Sequence, residues 1–260
     1  PELINRYGID DNHPVIGLLP GSRRQEINEI LPVLFDAAAR IHCRVPGVQF
    51  VLALAPGVRR ETVETAREAA RRRWLSGKRS SGVSRSSKTG FGPRPVVVPV
   101  EGRTADLARK NRAWFERSGD VPGDGDFPLL LVANATYDVM AVSDLLLTAS
   151  GTATLEAAIL AKPMVIVYRL AHELEFRMIR SRIPAHIGMP NLLADRRICP
   201  ELLQGDANPD AIASEAIGLL LEPERMIRMR ADLKEATACL GEPGGAGRTA
   251  QMVMEMAGNR

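Results

Sequence analysis

An α/β fold built on a mostly parallel sheet, with helices on both faces, is predicted by three observations. Short apolar runs at Val15–Leu19, Val48–Leu54, Leu145–Thr148 and Met164–Tyr168 alternate with helical stretches. Each run is nearly all apolar, as in strands covered on both faces. Two of the runs end in a glycine turn that opens a helix, in "LLPGSRRQEI" and "TASGTATLEA".

Between the first two strands, Ile27, Ile30, Leu31, Leu34, Ala38 and Ile41 repeat with the three-four spacing of one helix face. Ser22 and Gln25 fit a capping box at its start. Pro32 lies inside this pattern and predicts a break or kink, because proline removes a helix hydrogen bond. Strand, helix and strand then form one βαβ unit.

Glu61–Arg73 continues as a helix, and Ser76–Pro95, rich in Ser, Gly, Lys and Arg, reads as a mobile loop. Val96–Val100 and Leu129–Val132 read as strands, Asp106–Ser118 as a helix and Gly119–Asp126 as a turn cluster. Further on, "TASGTATLEAA" leads a helix to about Leu160. Asn208, Pro209 and Asp210 supply an N-cap, a proline at the first helical position and an acid in the first turn of a helix to Leu221. Helices from Pro223 to Gly241 and from Arg248 to Ala257 complete the pattern. There is no internal repeat.

The 260 residues are 45% hydrophobic and 25% charged, ordinary for a globular chain. No apolar run approaches the roughly 18 residues that span a bilayer. The chain begins at Pro1 without an initiator methionine or signal-peptide pattern, which suggests a trimmed terminus or a piece of a longer protein. Cys43, Cys199 and Cys239 have no metal-ligand spacing and read as reduced thiols of a cytosolic protein.

The net charge is +3, but Arg71, Arg72, Arg73, Lys78, Arg79, Arg85, Lys88 and Arg94 crowd one segment without an acid. The rest of the chain therefore carries −5, and a nucleic-acid-binding role for the whole protein loses its support.

The two glycine turns carry the chemistry. After the strand ending at Thr148, Ser150, Gly151 and Thr152 stand at a helix start, where free N–H groups and the helix dipole attract an anion. Glu156, one turn further, is placed to accept the hydroxyls of a ribose. In "PGSRR", Ser22 and Arg23 form a second junction, and a guanidinium binds phosphate oxygens with its planar fork. Alone, each loop reads as a capped helix with surface side chains. Two on one sheet suggest a diphosphate held without metal, since the sequence has no P-loop, GxGxxG or acidic magnesium cluster.

Three segments, "LLPGSRRQEINEILP", "TASGTATLEAAILAKPMVIVYRL" and "MPNLLADRRICPELLQGDANPDAI", resemble the C-terminal half of lipid-A-disaccharide synthases, in that family's order. The matches run over roughly residues 10–70 and 135–260. The resemblance implies the Rossmann-like C-terminal half of a GT-B glycosyltransferase, with residues 1–260 as one UDP-sugar-binding domain. It also implies an N-terminal acceptor domain that this chain lacks, and the chain departs from the family's pattern in a basic, flexible insertion expected at about 71–127. The resemblance implies transfer of a diacylglucosamine from UDP to diacylglucosamine 1-phosphate, with inversion, and no metal or other cofactor is expected.

By that resemblance Ser22 and Arg23 lie at the diphosphate, with Ser150, Gly151 and Thr152 at its helix-start site. Glu156 holds the ribose, and Asn191, Glu201 and Gln204 line the cleft. Asn191 and Gln204 also fit a loop-tying role, as buried amides often do. No general base stands out: His172 and His186 qualify only by residue type, and the family's base is expected in the other half. The expected partners are the UDP-sugar donor and a lipid acceptor, with peripheral contact at the cytoplasmic face of the inner membrane and no nucleic acid.

Phe176, Ile179 and Ile183 share a helix face opposite Arg177 and Arg180, which suits either a core helix or one lying at a lipid surface. The basic segment reads as a surface insertion or as a loop facing an anionic membrane. Two other functions remain open at this point. One is another GT-B transferase or UDP-sugar epimerase; the other is a non-catalytic nucleotide-sugar-binding module.

Overall fold

In the computed structural model the described residues are 3–4, 7–10, 12–45, 47–80, 127–171, 185–241 and 244–258. They form β1 (Val15–Leu19), α1 (Arg24–Arg44), β2 (Gln49–Leu54), α2 (Arg60–Ser80) and β3 (Leu129–Ala133). There follow α3 (Thr136–Val142), β4 (Leu145–Ala149), α4 (Thr152–Ile159), β5 (Met164–Tyr168) and α5 (Met189–Ala194). The series ends with β6 (Glu201–Leu203), α6 (Pro209–Leu221), α7 (Pro223–Ala238) and α8 (Gly245–Gly258).

The strands make one sheet in the order β3-β2-β1-β4-β5-β6, and every neighbouring pair is parallel. Every residue of β1 and β4 is buried, which requires helices over both faces of the sheet centre. α1 packs against α2 and α6, while α4, α5 and α7 pack on one another. The order reverses between β1 and β4, where consecutive connections leave on opposite sides and open a crevice beyond the carboxyl ends of the strands.

Three expectations are corrected by the structure. α1 runs unbroken through Pro32. Its missing bond would have gone to the carbonyl of Asn28, an exposed residue that solvent can reach. Ile27, Ile30, Leu31 and Leu34 meanwhile anchor the other face. The helix also begins one residue later than the Ser22–Gln25 box predicts: Arg23 is the N-cap, and Glu26, not Gln25, reaches back to the turn. Finally, residues 76–80 belong to α2 rather than to a loop.

Phe127, at the end of the expected insertion, is a core residue, with its ring 5.1 Å from Phe50 and 5.7 Å from Phe35. The expected insertion's first residues, 71–80, continue α2; residues 81–126 lie outside the described residues, as do the Val96–Val100 strand and the Asp106–Ser118 helix. The Phe176, Ile179 and Ile183 face and His172 also lie outside them. Local signals located α6 well: Asn208 Oδ1 accepts the Ala211 amide at 2.9 Å, and Pro209 opens the helix.

Candidate functional site

Both glycine turns lie at the same end of the sheet. β1 and β4 are hydrogen-bonded neighbours with Leu19 beside Thr148, so each chain leaves its strand next to the other. From Leu19 the chain passes through Pro20, Gly21 and Ser22 into α1; from Ala149 it passes through Ser150 and Gly151 into α4. The positive ends of two helix dipoles therefore face the switch point of the sheet.

The first turn is held by one side chain. Gly21 takes φ +103°, a left-handed conformation that disfavours any residue with a Cβ. Glu26 Oε2 accepts the Ser22 and Arg23 amides at 3.2 and 3.3 Å. Its Oε1 receives Arg23 Nη1 at 3.0 Å. The Arg23 side chain is 84% exposed, so most of its guanidinium faces solvent beyond the strand ends.

At the second turn the Ser150 amide donates to Val167 O at 3.0 Å and continues the β4–β5 ladder. Its hydroxyl donates to Ile187 O at 3.1 Å. Gly151 and Thr152 are exposed, and the first amides of α4 have no acceptor within the helix. Buried Thr154 secures this start: its hydroxyl donates to Gly151 O at 2.7 Å and accepts the Met189 amide at 3.3 Å. Glu156 is half-buried one turn along α4, and its carboxylate has no hydrogen bond or ion pair among the described residues.

Asn191, Glu201 and Gln204 are placed differently. Asn191 is fully buried. Its Oδ1 accepts the amides of Ile198 and Cys199, both at 2.8 Å. Its Nδ2 donates to Cys199 O at 2.9 Å and to Glu201 Oε1 at 2.7 Å. Glu201 also accepts the amides of Ile187 and Gly188 at 3.1 and 2.9 Å. Gln204 takes φ +47°, and its Oε1 accepts the Leu170 amide at 2.5 Å. All three side chains are spent on internal partners that fix the loops after β5 and before β6.

The structure thus puts Ser22 and Arg23, and Ser150, Gly151, Thr152 and Glu156, beyond the carboxyl ends of the neighbouring central strands β1 and β4, and it uses Asn191, Glu201 and Gln204 to brace the adjoining loops. Sequence reasoning missed Glu26 and Thr154. Glu26 stands three residues past the N-cap, the spacing of a capping box shifted by one position. Cys199, beside Asn191, is a packing residue: burial above all, with the charges of Glu201 and Asp232, pushes its thiol up to about 12. His186 is half-buried, next to Ile187, whose carbonyl accepts the Ser150 hydroxyl.

Comparison with known proteins bears on the family and the fold. The sequence model of the lipid-A-disaccharide synthetase family matches residues 3–79 and 122–255. A lipid-A-disaccharide synthase of Geobacter metallireducens is 32% identical over all of this chain and 53% of its own length. The Pseudomonas fluorescens enzyme of that name is 33% identical over 85% of this chain and 44% of its own. The chain therefore spans about half the length of the curated relatives it matches.

Among solved structures, sucrose-phosphate synthase of Thermosynechococcus elongatus aligns over all of this chain and 49% of its own, with a TM-score of 0.50 and 10% identity. That likeness bears on the fold alone. It agrees with the α/β, Rossmann-like half of a GT-B architecture. On the family match over most of its length, the chain belongs to the lipid-A-disaccharide synthetase family.

Proposed function

We propose that this chain is the UDP-sugar-binding half of a lipid-A-disaccharide synthase. In this reading the whole enzyme transfers 2,3-diacylglucosamine from its UDP donor to 2,3-diacylglucosamine 1-phosphate, inverts the anomeric centre and releases UDP. One observation carries the proposal: the Gly21–Arg23 turn and the Gly151 turn lie side by side at the β1–β4 switch point.

The chemistry calls for such a site. As the anomeric carbon separates from the diphosphate, negative charge grows on the leaving phosphate oxygens. The Arg23 guanidinium and the amides opening α4 stabilise that charge more in the transition state than in the ground state, which accelerates transfer without a metal. Glu156, whose carboxylate has no partner among the described residues, receives the ribose hydroxyls. The general base and most of the acceptor site belong to the other half of the enzyme. A lipid acceptor places the work at the cytoplasmic face of the inner membrane, reached peripherally; no described helix is long and apolar enough to cross a bilayer.

Calorimetric titration of the 260-residue chain with UDP tests this reading. Arg23→Ala and Glu156→Ala each weaken UDP binding by about tenfold, the scale of one charge-assisted contact. Neither shifts the melting temperature appreciably, since neither side chain supports the core. A well-folded chain that gives no heat with UDP or UDP-sugars refutes it.

A further inference from the structure

We infer that Glu26 is the positioning residue of the Gly21–Arg23 loop, setting both the backbone turn and the direction of the Arg23 guanidinium for a nucleoside diphosphate. The inference rests on the donor-site reading above. One carboxylate oxygen takes the Ser22 and Arg23 amides and the other takes Arg23 Nη1. Its seat depends on Gly21: a Cβ there would stand 2.5 Å from Glu26 Oε2 and 2.9 Å from its Cβ. Turn, carboxylate and guanidinium are thus one interlocked unit rather than a cap beside a loose surface arginine.

Arginine carries five N–H donors, and Glu26 occupies one of those on Arg23. The others remain for an incoming anion, held in an orientation already set. Less side-chain freedom is lost when the phosphate arrives, which is how preorganisation raises affinity. Glu26 itself does little to repel that phosphate. Its side chain is only 28% exposed, and its charge is offset by two amides, by Arg23 and by the α1 dipole.

A double-mutant cycle read by UDP calorimetry tests this. Glu26→Ala weakens UDP binding by about fivefold in the wild-type background and by less than about twofold beside Arg23→Ala, a coupling of the size seen between contacting residues. Equal losses in both backgrounds would mark Glu26 as a mere loop-folding residue and overturn the proposal, as would unchanged or tighter binding. Should Glu26→Ala not fold, Glu26→Gln replaces it. That side chain keeps an oxygen for the two amides but not the charge that holds Arg23, so about a threefold loss at an unchanged melting temperature is expected. An unchanged Kd again overturns the proposal. If the wild-type chain binds no UDP, the donor-site reading falls and takes this inference with it. Binding without coupling removes this inference alone.

Discussion

Asn191 and Glu201 form a fully internal pair, with Asn191 Nδ2 donating to Glu201 Oε1 at 2.7 Å. The same carboxylate holds the amides of Ile187 and Gly188, and Gly188 has no room for a side chain: a Cβ there would lie 2.3 Å from Ile166 Cδ1. Glu201→Ala strips two buried donors, the Gly188 amide and an Asn191 N–H, and the half-buried Ile187 amide of their acceptor. It is expected to cost about 3 kcal/mol, because unpaired buried donors keep their full desolvation penalty. Urea unfolding checks this; a loss below about 1 kcal/mol contradicts it.

Pro32 offers the opposite case. α1 accommodates it at the cost of one helix hydrogen bond on the solvent side. Pro32→Ala restores a donor for the Asn28 carbonyl and places the best helix former there. It should stabilise the chain by about 1–2 kcal/mol, less than the full proline penalty because a half-buried ring is lost. A higher midpoint in urea with an unchanged helical circular-dichroism signal is the expected result. A lower midpoint means that ring packing outweighs the bond.

The three thiols should separate by reactivity. Burial, then the nearby Glu201 and Asp232 charges, keep Cys199 protonated with a pKa raised to about 12, while Cys239 is exposed and Cys43 half-buried. At pH 8 a thiol reagent should label Cys239 promptly and leave Cys199 untouched until the chain unfolds. Prompt labelling of Cys199 in the native state contradicts its placement.

Asp10 gives a pH dependence. The Asn12 amide foremost, then the Asn12 side chain and His13, hold its carboxyl down at about 2. A carboxylate whose folded pKa lies below its ordinary value of 3.8 adds stability above that value. The contribution is lost as the pH falls through about 2. The stability gap between wild type and Asp10→Asn should therefore be steady near pH 6 and close toward pH 2. A gap that widens on acidification contradicts this.

Much of the fold was legible because its signals are local. The apolar run of β1, the Met164–Tyr168 strand and the Asn208 cap each depend on a few adjacent residues, and the structure places all three as read. α3 and β6 escaped notice for lack of such signals: α3 is seven residues with no side-chain cap, and β6 is three. The two turns of the candidate site were legible as strand–glycine–helix junctions. Their adjacency was not, since it depends on β1 pairing with β4 across more than a hundred residues. The loop-tying role open to Asn191 and Gln204 as amides is the one the structure shows, but residue type does not reveal the same inward use of Glu201, because that follows from backbone groups brought close only by folding.

The central claim is that the turns after β1 and β4 form one diphosphate site, and a UDP titration followed by backbone amide NMR tests it most directly. The expected result is that the Gly21, Ser22 and Arg23 amides and those of Gly151 and Thr152 shift together along one saturation curve. Shifts confined to one turn, or centred on the opposite end of the sheet around Asp10 and His13, would contradict it.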